Sequence, residues 1–130
     1  MYNKIHHIAF ICRDLDRVVE YYRDVMGFDY RGTHKLHRRK VEIALFQIGE
    51  TLLEFVHPYD KEAPRNFLQK KGEGFFHIAF GVDDLKQKWK YLLKKGVEFK
   101  ENAPRRGLDW NLITLKKSPP GIITQLVEEK

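Results

Sequence analysis

Residues 6–10 read HHIAF and residues 76–80 read FHIAF. Writing His-Ile-Ala-Phe twice within 130 residues points to an internal repeat, and the flanking sequence extends it. Shifted by 70 positions, Asp14-Leu15 falls on Asp84-Leu85. An amphipathic helix pattern follows each pair: Leu15, Val18, Val19, Tyr22, Val25 and Met26 in one half, and Leu85, Trp89, Leu92 and Leu93 in the other. The aspartates stand where N-caps belong, and Gly27 and Gly96 where helices stop. Three extended runs come after each helix, near 28–36, 40–48 and 51–57, and again near 97–100, 110–116 and 121–128. Gly49-Glu50 and Ser118-Pro119-Pro120-Gly121 mark the hairpin turns. The unit is therefore βαβββ, written twice: module one at 1–57, a linker at 58–75 with a short helix near Arg65–Lys71, and module two at 76–130. The expected fold is α+β, with the two modules related by a pseudo-twofold and forming a half-open, cupped mixed sheet.

Alternation along the HIAF strands separates two faces. Phe76, Ile78, Phe80 and Val82 share one face, and His77, Ala79 and Gly81 the other; Ile8 and Phe10 likewise oppose His7, Ala9 and Ile11. The bulky face is expected to pack beneath the helices. The face of histidine and small residues suits the lining of a pocket. The last strands of the halves also match: TLLEFV at 51–56 falls on IITQLV at 122–127, so Glu54 corresponds to Gln125. A carboxylate inside an apolar strand is costly unless it is paired or ligates a metal. A lone strand histidine is more often a core or edge residue, but four metal-capable side chains at two pairs of equivalent positions point to one site. His7, Glu54, His77 and Gln125 offer two imidazoles and two oxygens, a donor set for Zn, Co, Ni, Mn or Fe. His6, His34, His37 and His57 have no repeat partner and read as surface or rim residues.

The totals bound the possibilities. The length fits one domain with a real core. The 42% hydrophobic and 32% charged content fits a globular protein rather than a disordered one. No apolar run approaches the roughly 18–20 residues of a membrane span, and no secretory leader is visible. The single cysteine, Cys12, makes no internal disulfide and suits the cytoplasm. The net charge of +6 is spread in short clusters and reads first as a solvated lysine-rich surface. Taken alone it suits nucleic acid and an anionic small molecule equally, and the partner expected is the small molecule, with no nucleic acid and no membrane.

The pattern resembles the vicinal oxygen chelate superfamily, which includes glyoxalase I, bleomycin-resistance proteins, extradiol dioxygenases and methylmalonyl-CoA epimerase. The stretches HHIAFICRDLDRVVEYYRDVMGF, GETLLEFVHPYDKEAPRNFLQKKGEGFFHIAFGVDDL and PPGIITQLVE carry the resemblance, most of all to the epimerase branch. It implies a divalent metal held by His7, Glu54, His77 and Gln125, and a catalytic acid at Glu42 in KVEIAL. It also implies a homodimer. The implied activity is that of a metal-dependent isomerase or lyase, epimerase-like or glyoxalase-like, acting through a metal-stabilised enolate. The substrate would be a small carbonyl compound or acyl thioester, an anionic molecule such as a CoA thioester. Arg105, Arg106 and Lys40 are candidates for its phosphate or carboxylate groups. Alternatives are a non-catalytic binding or resistance module and, less favoured, a dioxygenase. The chain departs from the epimerase pattern twice. Gln125 stands where a carboxylate is usual, and an amide oxygen can ligate a metal but takes no proton at neutral pH. The loop APRRGLDWNL replaces a small glycine-rich one.

Overall fold

The structure, a computed structural model, describes residues 1–60 and 63–129. Strand β1 spans Tyr2–Ile11, helix α1 Leu15–Glu20, β2 Asp29–Leu36, β3 Val41–Ile48, β4 Thr51–Pro58 and α2 Ala63–Lys71. The second half contributes β5 Gly74–Val82, α3 Leu85–Lys94, β6 Arg105–Arg106, β7 Trp110–Thr114 and β8 Ile123–Glu129. The strands form one mixed sheet in the order β2-β3-β4-β1-β5-β8-β7-β6. β5 and β8 run parallel, whereas β2–β3, β3–β4, β6–β7 and β7–β8 are antiparallel. The α+β class and the doubled βαβββ order are those expected from the repeat.

The chain divides into two compact units: Met1–His7 with His77–Lys130, and Ile8–Phe76. In the Ile8–Phe76 unit, Asp14 caps α1 by accepting from the Arg17 amide, and Gly27 follows the helix in the left-handed region at φ 72°. The helix does not run on as a regular α-helix. Tyr21–Val25 form a π-helical turn, with the Met26 amide donating to the Tyr21 carbonyl at 3.0 Å. The extra residue in that turn re-phases the side chains. Tyr22 stacks on Phe55 at 4.8 Å and on Phe28 at 5.4 Å. Val25 and Met26, expected on the apolar face, are instead 69% and 49% exposed. Leu15, Val19, Ala44, Phe46 and Phe55 form the core beneath α1, and Phe10 packs against them.

The other unit repeats the plan with a regular helix. Asp84 accepts from the Gln87 amide, and Gly96 has φ 88°. Val82, Leu85, Ile113 and Leu126 form its core, with Phe80, Trp89 and Leu92 packed against them. Phe10 and Phe80 therefore lie under their helices, as the alternation predicts. Ala9 and Ala79 on the opposite face are fully buried.

The expected strand at 97–100 is a correction. It is reduced to a single bridge between Phe99 and Leu115, flanked by backbone bonds from Lys100 to Thr114 and from Lys116 to Glu98. Pairing with β7 resumes only at Arg105–Arg106. The Glu101 carboxylate accounts for part of the gap: it accepts from the Thr114 amide at 2.7 Å and the Thr114 hydroxyl at 2.9 Å. A side chain thus occupies positions that a neighbouring backbone would fill, and Pro104 has no amide to donate.

Candidate metal centre

His7 and His77 come from β1 and β5, and Gln125 from β8. Parallel pairing sets Ala79 opposite Gln125 and His77 opposite Ile123, so Gln125 shares the face of His77 and Ala79. Leu126, next in sequence, turns to the helix side. The Nε2 atoms of His7 and His77 face each other at 3.1 Å, and both rings are buried. Gln125 is buried and hydrogen-bonds to His7. Burial chiefly, with the neighbouring His77 and His6 adding, pushes the His7 pKa well below the ordinary histidine value, so the ring is neutral.

Glu54 lies on β4 opposite Leu45 of β3, inside an apolar stretch, and is 3% exposed. Burial raises its pKa to about 8. A carboxyl so placed ionises readily at neutral pH only with a cation at hand. One ligand atom each from His7, Glu54 and His77 lies within 4.8 Å of the others. Two imidazole nitrogens and a carboxylate oxygen are the donor chemistry of a first-row divalent metal, so the residues fit that cofactor. Gln125, at hydrogen-bond reach of His7, can add an amide oxygen.

Glu42 is placed differently. It is half-buried on β3, its register partners are His57 on β4 and Lys35 on β2, and it shares a face with Ala44 and Phe46 beneath α1. Glu54, paired with Leu45, projects to the other face, so the register does not bring the two glutamates side by side. Arg105 is half-buried and its guanidinium contacts Glu101 at 3.2 Å; Arg106 is exposed, and Lys40 is half-buried with φ 59°.

His6 corrects the sequence reading. It is 2% exposed rather than a rim residue. Its Nδ1 lies 2.8 Å from His7 Nδ1, and Trp110 packs edge-on against it at 4.6 Å and tilted over His7 at 5.1 Å. Its place in the repeat is taken by Phe76, so repeat matching does not find it. The doubled histidine in HHIAF is the only sequence signal. His57 is half-buried, with Nδ1 3.2 Å from the Cys12 carbonyl oxygen, whereas His34 and His37 are exposed as expected.

A buried pair of histidines with one carboxylate, on a sheet built from two βαβββ modules, defines a class of small metal-dependent enzymes. The chain belongs to the Glyoxalase/Bleomycin resistance protein/Dioxygenase superfamily, whose model matches residues 4–122. Among solved structures, a Streptomyces coelicolor methylmalonyl-CoA epimerase variant in complex with 2-nitronate-propionyl-CoA is 32% identical. That match covers 99% of each chain, with a TM-score of 0.90. The mitochondrial methylmalonyl-CoA epimerase of Mus musculus is 30% identical over 72% of this chain and 54% of its own length. Lactoylglutathione lyase of Haemophilus influenzae is 26% identical over 98% of this chain and 93% of its own length. No helix among the described residues is long and apolar enough to cross a membrane.

Proposed function

We propose that the chain is a divalent-metal-dependent isomerase of an acyl-CoA thioester, acting as a single vicinal oxygen chelate domain in a cytoplasmic homodimer. The observation that carries this reading is the buried His7–Glu54–His77 group on a fold shared with epimerases that bind acyl-CoA compounds. His7, His77, Glu54 and the Gln125 amide oxygen would hold the metal. When bound, the metal supplies Lewis acidity to the thioester carbonyl oxygen and so acidifies the adjacent C–H. The rings of Trp110, His6 and His7 pack together, and all three are buried. Proton transfer is assigned to Glu42 on the resemblance; its face, opposite that of Glu54, makes this assignment the first to test. Gln125 takes no proton at neutral pH, so a second carboxylate for inversion is missing at that position. A glyoxalase-like lyase is the second reading, favoured by the likeness to the Haemophilus influenzae enzyme over nearly the whole chain.

The test is deuterium wash-in from solvent at the α-carbon of methylmalonyl-CoA. The metal-loaded protein should exchange that hydrogen and chelated protein should not, while Gln125→Glu should raise the rate of stereochemical inversion. Loss of exchange in Glu42→Gln supports its role; undiminished exchange removes it. No exchange in any metal-loaded form would overturn the isomerase reading.

A further inference from the structure

His6 and Glu129 have no part in the ligand set, yet their geometry bears on it. His7 Nε2 faces His77, leaving Nδ1 as the ring's second polar atom, and that atom meets His6 Nδ1 at 2.8 Å. Only one proton can lie between two Nδ1 atoms so close. If His7 is to present a bare Nε2 lone pair, its proton is on Nδ1, and His6 must accept it with an unprotonated Nδ1. A neutral His6 then carries its own proton on Nε2. That atom lies 3.6 Å from the Glu129 carboxylate, which is itself held by Lys4 at 2.5 Å. Trp110 packs on both rings and fixes their planes.

We propose that His6 is a positioning residue for His7, holding it in the Nδ1–H tautomer with the Nε2 lone pair directed to the metal site, and that Glu129 in turn sets the tautomer of His6. The order runs from the Glu129 carboxylate to His6 Nε2–H, from His6 Nδ1 to His7 Nδ1–H, and so to the His7 Nε2 lone pair. This deepens the metal-centre reading and rests on it. Partners of this kind orient a ligating imidazole and strengthen it as a donor.

Long-range 1H–15N correlation on metal-free, 15N-labelled protein at about pH 8, where neutral rings are expected, reads the tautomers directly. Cobalt(II) titration of the same samples reads affinity. The expected result is Nδ1–H on His7 and Nε2–H on His6 in the native protein. His6→Phe keeps a ring against Trp110 but removes the acceptor. It should shift His7 toward Nε2–H and weaken cobalt binding about 10–100-fold. His6→Asn, whose amide oxygen can accept from His7, should restore the tautomer and most of the affinity. Glu129→Ala, at a residue 58% exposed and so tolerant of change, should disturb the His6 tautomer and serves if His6→Phe does not fold. Native protein that binds no cobalt would refute the metal centre, while its tautomers would still decide the present proposal. Nε2–H on native His7 would overturn it. So would a folded His6→Phe, or Glu129→Ala in its place, with native tautomers and cobalt affinity within about threefold of native.

Discussion

Glu54 carries a heavy electrostatic cost, because its carboxyl is buried on an apolar strand and burial pushes its pKa up to about 8. The unfolded carboxyl titrates near the ordinary 4.5, so between these values the folded state holds the extra proton. Stability is therefore lost as pH rises through that interval. His6 and His7, lowered by burial, work in the opposite sense on the acid side, since their unfolded rings take up protons first. Above about pH 7 His6 and His7 are largely neutral in both states, which leaves Glu54 to set the slope. Chelated protein should thus lose Tm between about pH 7 and 8.5, and Glu54→Gln should flatten that slope. A slope unchanged in Glu54→Gln would show that the carboxyl is not the buried proton store. Both the position and the oddity of this residue were legible, because a lone charge inside TLLEFV stands out. His6 was not legible in the same way. Its burial depends on Trp110 from a strand a hundred residues away, and it has no partner in the repeat. The facing of Glu42 could be read from its neighbours Ala44 and Phe46, but which face α1 covers became definite only with the register of β3 against β4.

At the scale of elements, the repeat and its caps were readable because each signal is local: an aspartate cap, an apolar stripe and a positive-φ glycine. The π-helical turn at Tyr21–Val25 and the broken strand at 97–100 were not. The first is set by how Tyr22 fits between Phe28 and Phe55, and the second by a glutamate reaching a distant threonine. The two faces of β5 give a prediction. Phe80→Ala removes a half-buried ring from the core beneath α3 and should cost about 2–3 kcal/mol. Metal affinity should stay within a few-fold, because the ring points away from His77. Ala79→Leu acts on the other face, where Ala79 is fully buried beside Gln125. It should cost about 1–3 kcal/mol by overpacking and should also weaken metal binding. Denaturant melts of both variants, paired with metal titration, separate the two effects. A neutral Phe80→Ala would mean that the facing of the strand is wrong.

For the whole molecule, the doubled βαβββ plan explains why the candidate ligands fall where they do. Each module offers one histidine on its first strand and one oxygen donor on its last: His7 with Glu54, and His77 with Gln125. Only one of the two oxygen donors is a carboxylate, so the set carries a single negative charge toward a dication. Under the proposed function, that charge count is what ties inversion to Gln125. Whether His7, Glu54 and His77 together bind a metal is decided by elemental analysis. Protein purified without chelator is compared with a folded His77→Ala variant prepared in parallel. About one divalent first-row ion is expected per native chain and little in the variant. Equal metal in the two samples, or none in the native protein even after incubation with zinc and cobalt salts, would contradict it.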